Sequence, residues 1–187
     1  MNRKSLLSVA VSLGLIAAIA SAGEVSGVKM PDTTTIEGKT LKLNGMGLRK
    51  KMMFKVYVAA LYVEATSKDP AAVIAADSVK SIQLHVLRGL SGSQIGEAIS
   101  DGFHNNSKAQ MGALSDRLLK LNGMFPAVVE GDTIVLTYVP GKGTMGSAKG
   151  QDKGVIEGKD FADALFAVWL GANPIQDDLK KALLGGS

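Results

Sequence analysis

Two side chains in this sequence are placed to do chemistry. Arg49 closes the run Gly45-Met46-Gly47-Leu48-Arg49, and Tyr57 lies mid-strand among Ala and Val residues. A guanidinium set against apolar surface is costly to bury without an anionic partner. Its planar fork fits a carboxylate or an enolate through two parallel hydrogen bonds. A tyrosine hydroxyl nearby adds a second donor to the same anion. The structural alternative stands beside this reading: Arg49 pairs with a carboxylate of its own chain, and Tyr57 is core packing.

Other chemistries are closed by composition. With Cys 0, disulfides, thiolate zinc sites and a cysteine nucleophile are excluded. Two histidines cannot build a three-histidine metal site. His85 falls on a strand and His104 near a helix end, neither with a paired carboxylate at metal spacing, and both read as ordinary side chains. No phosphate loop, dinucleotide fingerprint, G-x-S-x-G elbow or H-E-x-x-H occurs. Gly141-x-Gly143-Thr144 follows a Pro140-Gly141 turn and opens no helix, which makes it a hairpin. No metal and no cofactor is implied.

The elements that must position Arg49 and Tyr57 begin after a targeting segment. Arg3 and Lys4 precede the apolar run Leu6 to Ile19, which ends in Ala20-Ser21-Ala22. This is the pattern of a secretory signal peptide cleaved after Ala22. The run is short for a membrane span, and no other is long enough, so no stable span is expected after signal removal. Residues 1–22 are expected as a helix separate from the domain, 23–37 as a polar lead-in, and 38–187 as the folded domain. The expected location is periplasmic or secreted. Losing Arg3 and Lys4 takes the formal charge from +4 to +2. Arg49-Lys50-Lys51 is the densest basic spot, too small for a nucleic-acid patch.

Within the domain, Thr40 to Arg49 reads as a strand interrupted by Asn44-Gly45 and Gly47. Met52 to Glu64 is the strongest strand. Alternation puts Phe54, Val56, Val58, Ala60 and Tyr62 on one face, and Lys55, Tyr57, Ala59, Leu61 and Val63 on the other. Both faces are largely apolar, so both should be covered. Asp69-Pro70 starts a short helix. Ile82, Leu84 and Val86 mark a strand. Ser91-x-x-Gln94 is a capping box ahead of Ile95, Ile99 and Phe103 at helical spacing. Met111, Leu114, Leu118 and Leu121 make a second helical stripe, with Asp116 and Lys120 paired at i, i+4. Thr133 to Val139 is a strand, and another returns from Thr144. Asp160 is expected to cap a helix burying Phe161, Leu165, Val168 and Trp169. Asn173-Pro174 opens a last helix to Leu184. The layout is α+β with a mostly antiparallel sheet.

The stretch Gly45 to Glu64, with Gly-Met-Gly-Leu-Arg followed by Phe54-Lys55-Val56-Tyr57 and Leu61-Tyr62-Val63-Glu64, resembles the chalcone isomerase family, above all its exported bacterial chalcone isomerase-like branch. Leu90-Ser91-Gly92 looks like that family's strand-to-helix junction. Ala164 to Gly171, then Pro174 and the Leu179-Lys180-Lys181 helix, resembles its C-terminal end. The resemblance covers Gly38 to Leu184. It implies an open-faced β-sandwich: a large antiparallel sheet with a helical layer, and a ligand cleft between them.

Under this resemblance Arg49 matches the arginine that holds the substrate. The strand threonine of the true isomerases falls at Tyr57, their helix tyrosine at Ile95, their asparagine at Gly102, their lysine at Val86, and their late-helix hydroxyl at Val168, beside Trp169. Cyclising a chalcone requires directed donors for the developing enolate, and most of those positions carry none. The superfamily's fatty-acid-binding branch pairs an arginine with a strand tyrosine to hold a carboxylate, as Arg49 and Tyr57 would. Ile95, Gly102, Val168 and Trp169 would then line an apolar tunnel. The resemblance thus implies an exported, non-catalytic binder of a small apolar carboxylate such as a fatty acid, or of a polyketide-like ligand. The alternative is an isomerase (intramolecular lyase) acting on an unknown substrate through Arg49 and Tyr57.

Overall fold

A computed structural model describes residues 21–186. The expected separate helix over Met1 to Ala22 therefore lies, through residue 20, outside the described residues. Ser21 and Ala22 belong to a strand instead, β1 (Ser21–Val25), which pairs with β2 (Val28–Pro31) as a two-stranded hairpin. The other strands form one seven-stranded sheet: β3 (Thr33–Ile36), β4 (Lys39–Lys51), β5 (Phe54–Val63), β6 (Lys80–Val86), β7 (Thr133–Val139), β8 (Gly143–Ala148) and β9 (Gln151–Ile156). Strand order in the sheet follows chain order, and every neighbouring pair is antiparallel.

Helices enter as excursions between strands: α1 (Pro70–Ala75) before β6, α2 (Gly92–Asn106) and α3 (Met111–Asn122) before β7, and α4 (Lys159–Leu170) and α5 (Asp177–Leu183) after β9. Asp69 caps α1 by accepting from the Ala71 amide. Ser91 and Gln94 close the expected capping box on α2. Each satisfies amides that a helix start leaves unpaired.

Strand β5 shows why both sheet faces are covered. Tyr57, Ala59, Leu61 and Val63 join the core under the helices, with Ile95, Phe103, Leu114, Phe161 and Trp169. Val58, Ala60 and Tyr62 join a second core with Val28, Met30 and Leu41. The Tyr62 hydroxyl donates to the Pro31 carbonyl at 2.9 Å, tying the β1–β2 hairpin to that face. The segment 23–37, expected as a lead-in, thus supplies buried side chains.

Three local expectations are corrected. Gly158, not Asp160, stands at the N-cap of α4; Asp160 lies in the first turn and forms a two-pronged ion pair with Arg117, at 2.9 and 2.6 Å. That pairing holds the Asp160 carboxyl below its ordinary range. Lys120 does not reach Asp116; it donates to the Val155 carbonyl at 3.1 Å, bridging α3 to β9. The last helix starts at Asp177 with Gln176 as its cap, past Asn173-Pro174. Strand β4 is also continuous through its glycines, which answer to a packing need rather than a break. A Cβ on Gly45 would stand 2.1 Å from the Ala182 carbonyl oxygen, and one on Gly47 2.7 Å from the Ala182 Cβ. Bare backbone there lets α5 lie directly on β4.

Candidate functional site

That close approach builds one side of the site. It brings Gln176, at the start of α5, against the end of β4. The Gln176 Nε2 donates to the Leu48 carbonyl at 3.2 Å, and its Oε1 accepts from the Lys50 amide at 2.8 Å and from Arg49 Nη1 at 3.2 Å. Arg49 Nη1 also donates to the Lys50 carbonyl. These partners are neutral. Among the described residues no carboxylate lies within ion-pairing distance of Arg49. Its Nε and Nη2 meet no carbonyl or carboxylate oxygen there either. The half-buried guanidinium is therefore oriented by an amide and lies against the Tyr57 hydroxyl, with its charge unmatched by any carboxylate among the described residues.

Register supplies the second member. Arg49 on β4 stands directly opposite Tyr57 on β5, and Tyr57 directly opposite Val86 on β6. Opposed residues share a sheet face, so a row Arg49–Tyr57–Val86 runs across three strands beneath the helical layer. An irregularity between Arg49 and Lys50 re-phases the strand just past the row.

The third member comes from α4. Trp169 Nε1 donates to the Tyr57 oxygen at 3.0 Å. The Tyr57 hydroxyl thereby receives a proton donor, while its own proton meets no acceptor among the described residues. Burial pushes the Tyr57 phenol up from its ordinary pKa, opposed by the Trp169 hydrogen bond and the nearby Arg49 charge. Tyr57 stays protonated through the neutral range, a donor without a recipient. The arrangement offers a cation and a phenolic O–H to one anion.

The remaining sequence-derived residues divide. Val168 and Trp169 are successive on α4 and so point in different directions. Trp169 reaches the sheet, while Val168 meets α2: a Cβ on Gly102 would stand 2.6 Å from Val168 Cγ1. Gly102 and Val168 form a helix–helix seam separate from the Arg49–Tyr57–Trp169 group. Ile95 is buried on α2, one of the core residues of that layer. Side chains fill this region, with Val168 and Trp169 at 0% and 2% exposure. Val86, where the isomerase lysine would align, is buried beside Tyr57 and brings no donor to it.

Two open clefts lie elsewhere. One of about 610 Å³ is lined by Gly92, Gly96, Glu97, His104 and Asn122; the other, of about 330 Å³, by Asp77, Tyr138, Lys142 and Lys159. Among the described residues no cluster of His, Asp and Glu is disposed to hold a metal ion. Gln176 was invisible to sequence reasoning. It lies 127 positions from Arg49, and no periodicity links them.

The model of the chalcone isomerase-like proteins matches residues 22–185. The chain belongs to the chalcone isomerase-like family. A search of curated protein sequences finds no match. Among solved structures, the crystal structure of a fatty-acid binding protein from Arabidopsis thaliana is similar with a TM-score of 0.70, covering 88% of this chain and 96% of that one at 16% sequence identity. The likeness establishes the fold: a large antiparallel sheet with its helical layer, as the resemblance implied.

Proposed function

We propose that this protein binds a fatty acid, or another small apolar carboxylate, without turning it over, and that Arg49 and Tyr57 hold the head group. The observation that carries this reading is the unmatched charge of Arg49 beside the unspent proton of Tyr57. A carboxylate satisfies both at once. Ile95, Gly102, Val168 and Trp169 would surround the tail. Admitting a tail there requires α2 and α4 to part at the seam where Val168 packs on the bare backbone of Gly102. The similar Arabidopsis protein, a fatty-acid binding protein by description, supports the ligand class. Catalysis is disfavoured because Val86, Ile95, Gly102 and Val168 offer no side-chain hydrogen bond to a developing enolate.

Calorimetry with a saturated C12–C18 fatty-acid series tests the proposal. Arg49→Ala should weaken binding by about 2–5 kcal/mol, as truncating one partner of a buried charge pair does. Arg49→Lys should recover part of the loss, because a point charge lacks the fork. Equal affinity in wild type and Arg49→Ala would refute the assignment. Naringenin chalcone should not cyclise above background; turnover abolished by Arg49→Ala would move the protein to the isomerases.

We also propose that the chain is exported to the periplasm or secreted after cleavage at Ala22. The β1–β2 register is irregular between Ser21 and Gly23, so a cut there leaves the pairs from Gly23 to Val25 intact. N-terminal sequencing of protein recovered from cell fractions tests this; a start at Met1 in the cytoplasmic fraction would refute it.

A further inference from the structure

The tight hairpins of this protein follow a rule that one of them breaks. Ser26-Gly27, Glu37-Gly38 and Lys149-Gly150 each join two strands through a polar residue and a glycine, all with positive φ. The β4–β5 hairpin, between Lys51 and Phe54, uses Met52-Met53. Met52 has φ 56°, the same conformation as Ser26, Glu37 and Lys149, so what sets this turn apart is its two apolar side chains, with Met53 where the others have glycine. Packing does not account for them: Met52 is 89% exposed and Met53 85%, and Phe54 beside them is 51% exposed. Three large apolar side chains thus stand in sequence at a protruding tip, in a turn where the fold elsewhere places polar residues.

The tip has a basic collar. Lys50 and Lys55 face each other across the hairpin, Lys51 flanks the turn, and the Arg88 guanidinium lies over the Phe54 ring at 4.3 Å. None of these four cations is in an ion pair among the described residues. Asp177 and Asp178, at the start of α5, do not pair with them.

We propose that the β4–β5 hairpin docks this protein on an anionic lipid bilayer, with Met52, Met53 and Phe54 entering the headgroup–acyl boundary and Lys50, Lys51, Lys55 and Arg88 binding the surface charge. An apolar tip ringed by cations is complementary to that surface in both respects. Methionine is an unbranched, adaptable chain suited to a fluid partner. Each basic residue held near such a surface strengthens partitioning about fivefold. The tip stands three residues from Arg49 along β4, which sets the membrane beside the carboxylate site. The docking stands whether or not Arg49 holds a ligand.

Flotation of the protein with ligand-free vesicles tests it. Phosphatidylcholine vesicles containing about one third phosphatidylglycerol should carry wild-type protein at low salt, and pure phosphatidylcholine vesicles far less. Met52→Gly with Met53→Ser places glycine where the positive φ lies, so the variant should fold at least as well, and its binding should fall tenfold or more. Lys50→Gln with Lys51→Gln and Lys55→Gln should abolish the preference for anionic vesicles. No flotation of the wild type, or flotation unchanged in the Met52→Gly/Met53→Ser variant, would overturn the proposal. So would a dimer, seen by sedimentation, that the same variant dissolves while no vesicle binds.

Discussion

Two cations lie beneath the helical layer at opposite ends of one sheet face, and their surroundings differ. Lys80, on β6 opposite Val63, is 1% exposed. Its ammonium donates to the carbonyls of Val73 and Ala76, both at 3.0 Å, and to that of Ile74, at the C-terminal end of α1. Those carbonyls have no partner within the helix and carry its negative pole. The Asp163 carboxylate lies 3.8 Å away, and the rings of Tyr138 and Phe166 flank the nitrogen at 5.5 and 5.3 Å. Every donor of Lys80 is matched by the protein's own oxygens. Arg49 has only neutral neighbours among the described residues: the Lys50 and Gln176 oxygens and the Tyr57 hydroxyl. A cation stitched to helix-end carbonyls holds a fold together, whereas one with neutral partners alone keeps its charge available, as the proposed head-group site requires.

The largest expected effect breaks this contrast if it fails. Lys80→Ala leaves the Val73 and Ala76 carbonyls without their donor, leaves Lys159 to hold Asp163 alone, and opens space in the core, and should destabilise by about 3–5 kcal/mol. Arg49→Ala should change stability by less than about 1 kcal/mol, since no buried charge is left behind. Urea denaturation of the two variants reads both. A stability loss at Arg49 as large as that at Lys80 would make Arg49 structural.

The second prediction uses pH. Burial, together with the neighbouring Lys159 charge, lowers the Lys80 pKa from 10.5 to about 8, against the pull of Asp163 and Asp77. Between those values the unfolded chain binds the proton more tightly than the folded one, so stability should rise with pH, by about 3 kcal/mol at full shift. Tyr62 and Tyr138 act in reverse. Burial chiefly raises each to about 12 in the folded protein. Above the ordinary pKa of 10.0 the unfolded tyrosines ionise first, and stability falls. Stability should therefore climb from pH 8 and turn down beyond pH 10. Lys80→Met, which keeps the side-chain bulk, should remove the climb and leave the descent. A climb that survives in Lys80→Met would assign it to another group.

The same contrast marks what the sequence made legible. Arg49 and Tyr57 could be paired beforehand because both obey local rules: one ends a strand, the next strand alternates, and antiparallel neighbours come into register. The faces of β5, the α1 cap and the α2 capping box were readable for the same reason. Lys80 was not, because its partners are carbonyls that α1 presents only once it is folded over β6. Gln176 escaped likewise, since its position depends on the glycines of β4 admitting α5. Strands β1 to β3 were hidden by the polar, threonine-rich stretch Glu24 to Thr35, although Ser26-Gly27 and Glu37-Gly38 are hairpin signals. Strand β9 was missed because four of its six residues are exposed. Asp160 was misread as a cap because an aspartate in a helix's first turn carries the same sequence signal.

The smallest effects come from two hydroxyls, one at each end of the sheet face. Tyr57→Phe removes the acceptor of the Trp169 indole N–H, which is 2% exposed and has no other partner among the described residues. A buried donor left unsatisfied costs about 1–3 kcal/mol. The same change also removes one of the two groups offered to a carboxylate, so fatty-acid affinity should fall along with stability. Tyr138→Phe deletes an equally short list of bonds, a single donation to Asp77 at 2.6 Å. Asp77 is exposed, however, and water takes over the vacated oxygen, so the loss should be about 0.5–1 kcal/mol. Ligand binding should not change, because Tyr138 stands at the Lys80 end. Thermal unfolding with and without added fatty acid separates the two: Tyr57→Phe should lose both intrinsic stability and part of the ligand-induced shift, Tyr138→Phe only a little of the first. A ligand-induced shift that Tyr57→Phe leaves whole would take Tyr57 out of the site and leave Arg49 to hold the carboxylate alone.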